Sequence, residues 1–261
     1  MRNHTLITGA SHGLGLEFAH KCASLGHSLL LTSLPKEDLP NIGKKLAKEY
    51  GVSVKVLETD LTTNLKSLTN WIIENDIAIN FLINNAGFGG TVAFSDMSSE
   101  QLNLMLDLNI KSVTQLTHHL IPNLKQNQPS YILNISSMAG DFAFPYKAVY
   151  SASKVYVRNF SLALSEELKP ESISVSVLQP GAMPTNDVVK GQLDKGGFFA
   201  NLSTKSTKEV ANLAITQTLK GKRIIIPGWQ NKVSLLLMKI IPAKWARPLL
   251  AKQGKTINST N

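Results

Sequence analysis

Apolar residues along this chain fall into two kinds of run that alternate. The short, nearly continuous ones are HTLIT (4–8), SLLLT (28–32), SVKVLE (53–58), NFLIN (80–84), SYILNIS (130–136), SVSVL (174–178) and RIIIP (223–227). Runs of this length predict strands covered on both faces. Between them, roughly at 13–25, 37–50, 62–75, 98–126, 148–169 and 206–219, apolar positions recur three and four apart, as on amphipathic helices. Strand and helix in regular alternation predict βαβ units, and hence one parallel sheet of about seven strands with helices on both faces. No repeat or linker interrupts residues 1–227, which read as a single α/β domain. The stretch 183–205 is less regular. Its Gly196-Gly197 and Phe198-Phe199 fit either a lid over a pocket or an ordinary surface loop.

Residues 228–261 read as a basic amphipathic helical extension of that domain. Val233, Leu236, Leu237, Ile240 and Ile241 have helical spacing with Lys232 and Lys239 among them, and Trp245, Leu249 and Leu250 follow Pro242 beside Lys244 and Arg247. Charge sharpens the picture. From Lys220 to the end there are nine basic residues and no acidic one, so the rest of the chain carries 18 of the 27 basic residues against all 18 acidic ones. A neutral body with a basic tail does not fit a nucleic-acid-binding domain, which needs a basic face with stacking aromatics. The tail fits an anionic membrane surface; equally, it fits a face packed on the body, over a pocket or in a dimer. No apolar run approaches the ~18 residues that span a bilayer, and MRNHTLITGA lacks a signal-peptide core. The expected location is cytoplasmic, with membrane-surface contact through the tail as its variant. One cysteine, Cys22, excludes an internal disulfide and a multi-cysteine metal site, and no metal is expected.

Directly after the first predicted strand comes TGASHGLG, with Gly9, Gly13 and Gly15. A glycine turn between a strand and a helix start is the setting of a dinucleotide site. Gly9 permits the sharp turn, Gly13 lets backbone N–H groups reach a pyrophosphate, and Gly15 lets the helix pack closely. The helix N-terminus then favours the phosphates. Farther on, YSASK (150–154) puts Tyr150 and Lys154 one helical turn apart on one face, with small residues between them.

The GxxxGxG spacing of the turn, NNAG (84–87), Asn109 in LDLNI, NISS (134–137), the YxxxK pair and QPGAMPT (179–185) occur in an order that resembles the short-chain dehydrogenase/reductase family, near its branch of 3-oxoacyl and hydroxysteroid reductases. The resemblance implies a Rossmann-type doubly wound sheet and hydride transfer between NAD(P) and a ketone or secondary alcohol. It also implies a catalytic set of Asn109, Ser137, Tyr150 and Lys154, and a homodimer or homotetramer. Tyr150 is the expected proton donor, made more acidic by the Lys154 ammonium. Ser137, 13 residues before it, is expected on the substrate oxygen, with Ser136 as its competitor. Asn109 is expected in a proton relay to Lys154, and Lys154 on the nicotinamide ribose. The cofactor set implied is Gly9, Ser11, His12, Gly13, Leu14, Gly15, Ser33, Asp60, Leu61, Asn85, Ala86, Gly87, Tyr150, Lys154, Pro180, Gly181, Met183 and Thr185. Within it, Asn85 lies near the ribose and Asp60-Leu61 near adenine; Asp60 also suits the N-cap of the helix from 62.

The end of the second strand ordinarily selects the cofactor: an acid favours NAD, a base NADP. Here Ser33 and Leu34 stand in those places and no carboxylate is expected. His12 and Lys36 supply positive charge, so NADP(H) is favoured and NAD(H) remains possible. Apolar residues of the tail, with Phe142, Phe144 and Tyr146, suggest an apolar acyl or lipid-like substrate. A non-catalytic NAD(P)-binding sensor on the same fold is the alternative, and such a protein is expected to have lost part of the catalytic set.

Overall fold

The computed structural model describes residues 3–181 and 205–240, with single positions at 244, 248, 250 and 251. Met183, Thr185 and the anticipated lid at 183–205 lie outside the described residues, apart from Lys205.

The strands are β1 (His4–Thr8), β2 (Ser28–Ser33), β3 (Val54–Glu58), β4 (Ile79–Asn84), β5 (Ser130–Ile135), β6 (Ile173–Leu178) and β7 (Ile224–Ile225). They form one parallel sheet in the order β3-β2-β1-β4-β5-β6-β7. The helices are α1 (Gly13–Ser24), α2 (Leu39–Tyr50), α3 (Leu65–Glu74), α4 (Ser99–Leu106), α5 (Val113–Gln126), α6 (Ala148–Glu167), α7 (Thr207–Leu219) and α8 (Trp229–Ile240). The strand order reverses between β1 and β4. A crevice at the carboxyl ends of these strands is where such sheets take ligands.

The two-sided apolar runs are explained by two cores. Ile7, Leu29, Leu31, Phe81, Ile83 and Leu133 point to one face, where Phe18, Cys22 and Ile215 of α1 and α7 cover them. Leu6, Leu30, Leu82 and Ile132 point to the other, against Leu68, Leu120 and Leu164 of α3, α5 and α6. Each buried leucine contributes about 2 kcal/mol. Cys22 is fully buried, and burial pushes its thiol up to about 12, so it is an inert packing group. The polar residues of SVKVLE fit the half-buried edge strand β3.

Three element boundaries differ from the sequence expectation. Helix α3 starts at Leu65 rather than 62, because the Asp60 carboxylate accepts hydrogen bonds from Thr62 N (2.8 Å) and Thr62 Oγ1 (2.7 Å) and holds a turn there. Asn64, not Asp60, is the N-cap residue. β7 is two residues long, since Pro227 has no N–H to give. The single helix expected over 98–126 is α4 and α5 joined by a π-helical turn at Asp107–Ser112.

Candidate active site

The glycine turn and the end of β4 are built as one unit. Gly9 (φ 64°) and Gly13 (φ 55°) occupy the left-handed region that favours glycine. A Cβ on Gly15 would stand 1.9 Å from the Gly9 carbonyl oxygen, so only glycine lets α1 rest on the turn. Leu14 anchors the helix in the core, Ser11 is buried and His12 is exposed. The Thr8 hydroxyl accepts from Asn85 N and Ala86 N, both at 2.9 Å, and the Asn85 amide donates to Thr8 O (2.9 Å) and Gly9 O (3.0 Å). Asn85 thus clamps the two halves of the sheet at the switch point. The first turn of α1 carries no acid and no side-chain cap, leaving its N–H groups to an anion. This cradle fits a dinucleotide pyrophosphate.

Four elements converge beside it. Tyr150 and Lys154 share a face of α6, with the Lys154 Nζ 5.7 Å from the Tyr150 ring centroid. Lys154 is buried and donates to Ile135 O at 2.9 Å. Ser137, just past β5, has its side chain beside the Tyr150 phenol, close enough to pull the phenol's pKa down. Ser136 turns the other way, its hydroxyl donating to the Lys154 carbonyl at 2.8 Å, so that of the two serines Ser137 is the one beside Tyr150. Asn109 lies in the π-helical turn, of a kind frequent at functional sites. Its amide oxygen accepts from Phe88 N (2.8 Å), and its amide nitrogen donates to Phe88 O (2.8 Å) and Ser153 Oγ (3.1 Å). A Cβ on Gly87 would stand 3.2 Å from Asn109 Oδ1 and 3.5 Å from Lys154 Nζ, so the NNAG segment runs against the same cluster. Gly89 leaves room for the Tyr150 ring in the same way. Pro180 is buried at the edge of the site, its carbonyl accepting from Met138 N at 3.0 Å, with Gly181 next to it.

The electrostatics correct one expectation. Tyr150 as a whole is partly exposed, but its hydroxyl is enclosed by protein, and burial pushes the phenol up while the Ser137 side chain pulls it down. Burial outweighs the nearby ammonium. Lys154 itself is driven down by burial, to about 8. A second cation, missed in the sequence, stands on the same ring: Lys147 Nζ is 5.8 Å from the Tyr150 centroid, and burial lowers its pKa as well.

A second correction concerns the end of β2. Ser33 is buried with its hydroxyl on Leu34 O, as a strand end with no acid of its own. Yet a carboxylate does reach the glycine turn. Glu37 accepts a hydrogen bond from the Ser11 hydroxyl, which also lies 2.9 Å from His12 Nδ1. Lys36 and Asp38, on either side, are both left-handed (φ 72° and 58°) and fold the loop back. Asp60, with its Thr62 turn, and the buried Leu61 stand at the end of β3.

The family model for short chain dehydrogenase matches residues 3–196. The chain belongs to the short-chain dehydrogenase family. It is 31% identical over 186 residues to a very-long-chain 3-oxoacyl-CoA reductase of Phaeosphaeria nodorum, covering 69% of this chain and 54% of that protein. It is 32% identical over 189 residues to human 17-beta-hydroxysteroid dehydrogenase type 3, covering 71% and 60%. The chain therefore spans somewhat over half the length of these two relatives. A short-chain dehydrogenase from Sphingobium yanoikuyae, solved in complex with NADPH, superposes with a TM-score of 0.77 at 28% identity, over 92% of this chain and 96% of that one.

In this short-chain dehydrogenase, sequence reasoning also missed a buried polar chain across the sheet. Asn84 donates to Thr117 Oγ1 (3.0 Å) and Asn134 Oδ1 (2.8 Å), and Asn134 donates to Ser161 Oγ (2.9 Å). The first Asn of NNAG and the Asn of NISS were its signal: a polar residue inside an apolar strand needs a partner.

Proposed function

We propose that the chain is an NADP(H)-dependent reductase of apolar ketones, acyl or lipid-like, and the corresponding dehydrogenase of secondary alcohols. The observation that carries this is the Tyr150 phenol beside the Ser137 side chain, which pulls its pKa down, with the buried Lys154 ammonium 5.7 Å from the centroid of the same ring. Catalysis in this reading needs a proton delivered to the oxygen of a carbonyl as its carbon is reduced. The bound nicotinamide would supply the hydride. Tyr150 holds the proton, because burial keeps its phenol protonated through neutral pH. Ser137 fixes the substrate oxygen and stabilises the charge that develops on it. Lys154, held by Ile135 O, keeps its positive charge 5.7 Å from the centroid of the Tyr150 ring, so that the phenolate left after transfer is stabilised. Asn109, tied through Ser153 to α6, fixes the 87–89 segment that passes Lys154 and Tyr150.

The apolar substrate class is supported by the names of the two relatives, and by the half-buried Phe142, Phe144 and Tyr146 that follow Ser137. NADP(H) is supported by the solved relative at 28% identity that holds NADPH, and by the exposed His12 and Lys36 beside the turn. The test follows loss of reduced-nicotinamide absorbance with NADPH and with NADH, against a long-chain 3-oxoacyl thioester, a steroid ketone and a small aromatic ketone. Turnover of the first or second with NADPH is expected. No turnover with any of them would overturn the reading; a preference for the aromatic ketone would overturn its apolar-lipid part.

Glu37 opposes that cofactor choice. Its carboxylate, accepting from the Ser11 hydroxyl, lies against the part of the turn that a 2′-phosphate would approach. Glu37→Gln is expected to raise the ratio of kcat/KM for NADPH over that for NADH by about tenfold, the effect of about 1.4 kcal/mol less repulsion. An unchanged ratio would place Glu37 away from the 2′ position.

A further inference from the structure

We propose that the outer face of α8 is a docking surface for an anionic lipid bilayer. Helices on globular proteins turn their apolar stripe inward. This one is inverted. Trp229, Val233, Leu236 and Leu237 are 71%, 43%, 61% and 55% exposed, and their spacing puts all four on one stripe. The face turned to the body carries Asn231 and Ser234 with Leu235, all buried, and Asn231 donates to the Pro227 carbonyl at 2.6 Å. The body therefore does not take up the apolar side of this helix.

Charge identifies the occupant. Exposed Lys232 flanks the stripe, and the sequence from Lys220 onward holds nine basic residues, of which Arg223 pairs with Glu166, and no acid, while the rest of the chain balances at 18 of each. A second copy of so basic a region would be repelled by the first. A surface dense in negative charge is attracted, and one whose interior accepts leucine and tryptophan side chains completes the match. Tryptophan at one end of the stripe suits the headgroup boundary, where an apolar ring keeps a polar N–H in contact with water. No helix among the described residues is long and apolar enough to cross a membrane, so the helix lies along the surface. Four other exposed apolar side chains stand among paired charges. Leu104 and Leu106 on α4 are followed by the Asp107–Lys111 ion pair, and Val155 and Tyr156 on α6 stand close to Arg158, which pairs with Asp141.

The test uses the full chain with sedimented vesicles of phosphatidylcholine, with and without phosphatidylserine. Binding to the phosphatidylserine vesicles is expected, weakening as salt rises, with a blue shift of emission that Trp229→Phe removes. The double variant Leu236→Asp, Leu237→Asp changes two exposed positions. It is expected to lower vesicle partitioning by at least about tenfold, with melting temperature and ketone reduction in buffer unchanged. Should the variant fail to fold, the salt dependence and the Trp229 shift of the parent still decide. Absence of binding, equal binding to both kinds of vesicle, or equal partitioning of parent and variant would each overturn the proposal. So would sedimentation showing that the variant converts a dimer to a monomer, which would assign the face to a second copy.

Discussion

Replacing Tyr150 by phenylalanine is expected to lower kcat for carbonyl reduction by at least about a hundredfold, the lower range of what a positioned proton donor contributes. The substitution removes one oxygen. The ring keeps its fit beside Gly89 and near the ammonium groups of Lys147 and Lys154. Ser137 loses the phenol but still accepts from Ala139 N at 3.1 Å, so its rotamer has a second anchor. The glycine turn and its Asn85 clamp are untouched, and binding of reduced cofactor, followed by quenching of protein fluorescence, should stay within a few-fold of the parent. The split between chemistry and binding is the discriminating result. Undiminished turnover would remove Tyr150 from the proton path. Loss of turnover together with cofactor binding would mean that the ring supports the cradle instead.

Which parts of this site could be read from the sequence follows from how local their causes are. Apolar runs gave the strands because each strand of this sheet, except at the edges, is buried on two faces, as Leu30 and Leu31 show by entering different cores. Gly15 was readable because the turn occurs where β1 meets α1, and Tyr150 and Lys154 because four residues make one helical turn. The rest depends on contacts between distant segments or on unusual backbone. Glu37 reaches Ser11 only because Lys36 and Asp38, neither of them glycine, adopt left-handed conformations that their residue types do not announce. The π-helical turn at Asn109 leaves the apolar periodicity of 98–126 almost intact, so the run reads as one helix. Alternation said that one of Ser136 and Ser137 must turn away, but the Lys154 carbonyl that receives Ser136 lies 18 residues on. In α8 the pattern revealed a stripe and not which side would meet the body.

Replacing Lys154 by methionine is expected to abolish reduction and, at neutral pH, to make the protein more stable. The Lys154 ammonium is enclosed, with the Ile135 carbonyl and, among the described residues, no carboxylate paired with it, and burial lowers its pKa from the ordinary 10.5 to about 8. Below pH ~8 the amine is charged in both the folded and the unfolded chain, and folding carries the full penalty of burying it, about 3 kcal/mol for a shift of this size. Between pH ~8 and ~10.5 the unfolded chain holds the proton that the folded one has released, so stability rises with pH. Above that range the amine is neutral in both states and the penalty is gone. Methionine fills similar space without the charge but leaves Ile135 O without its donor, a loss of about 1 kcal/mol. The net gain at pH 7 is then about 2 kcal/mol, or several degrees in Tm for a chain of this length. Paired unfolding curves should converge and cross as pH approaches 10. A methionine variant less stable than the parent at pH 7 would show that the ammonium is not a burden to the fold. In the parent, reduction should fall above pH ~8 as Lys154 discharges and the phenolate loses its counter-charge. A buried cation that weakens the folded state yet is kept beside the Tyr150 phenol is what the proposed reaction requires and the fold alone does not.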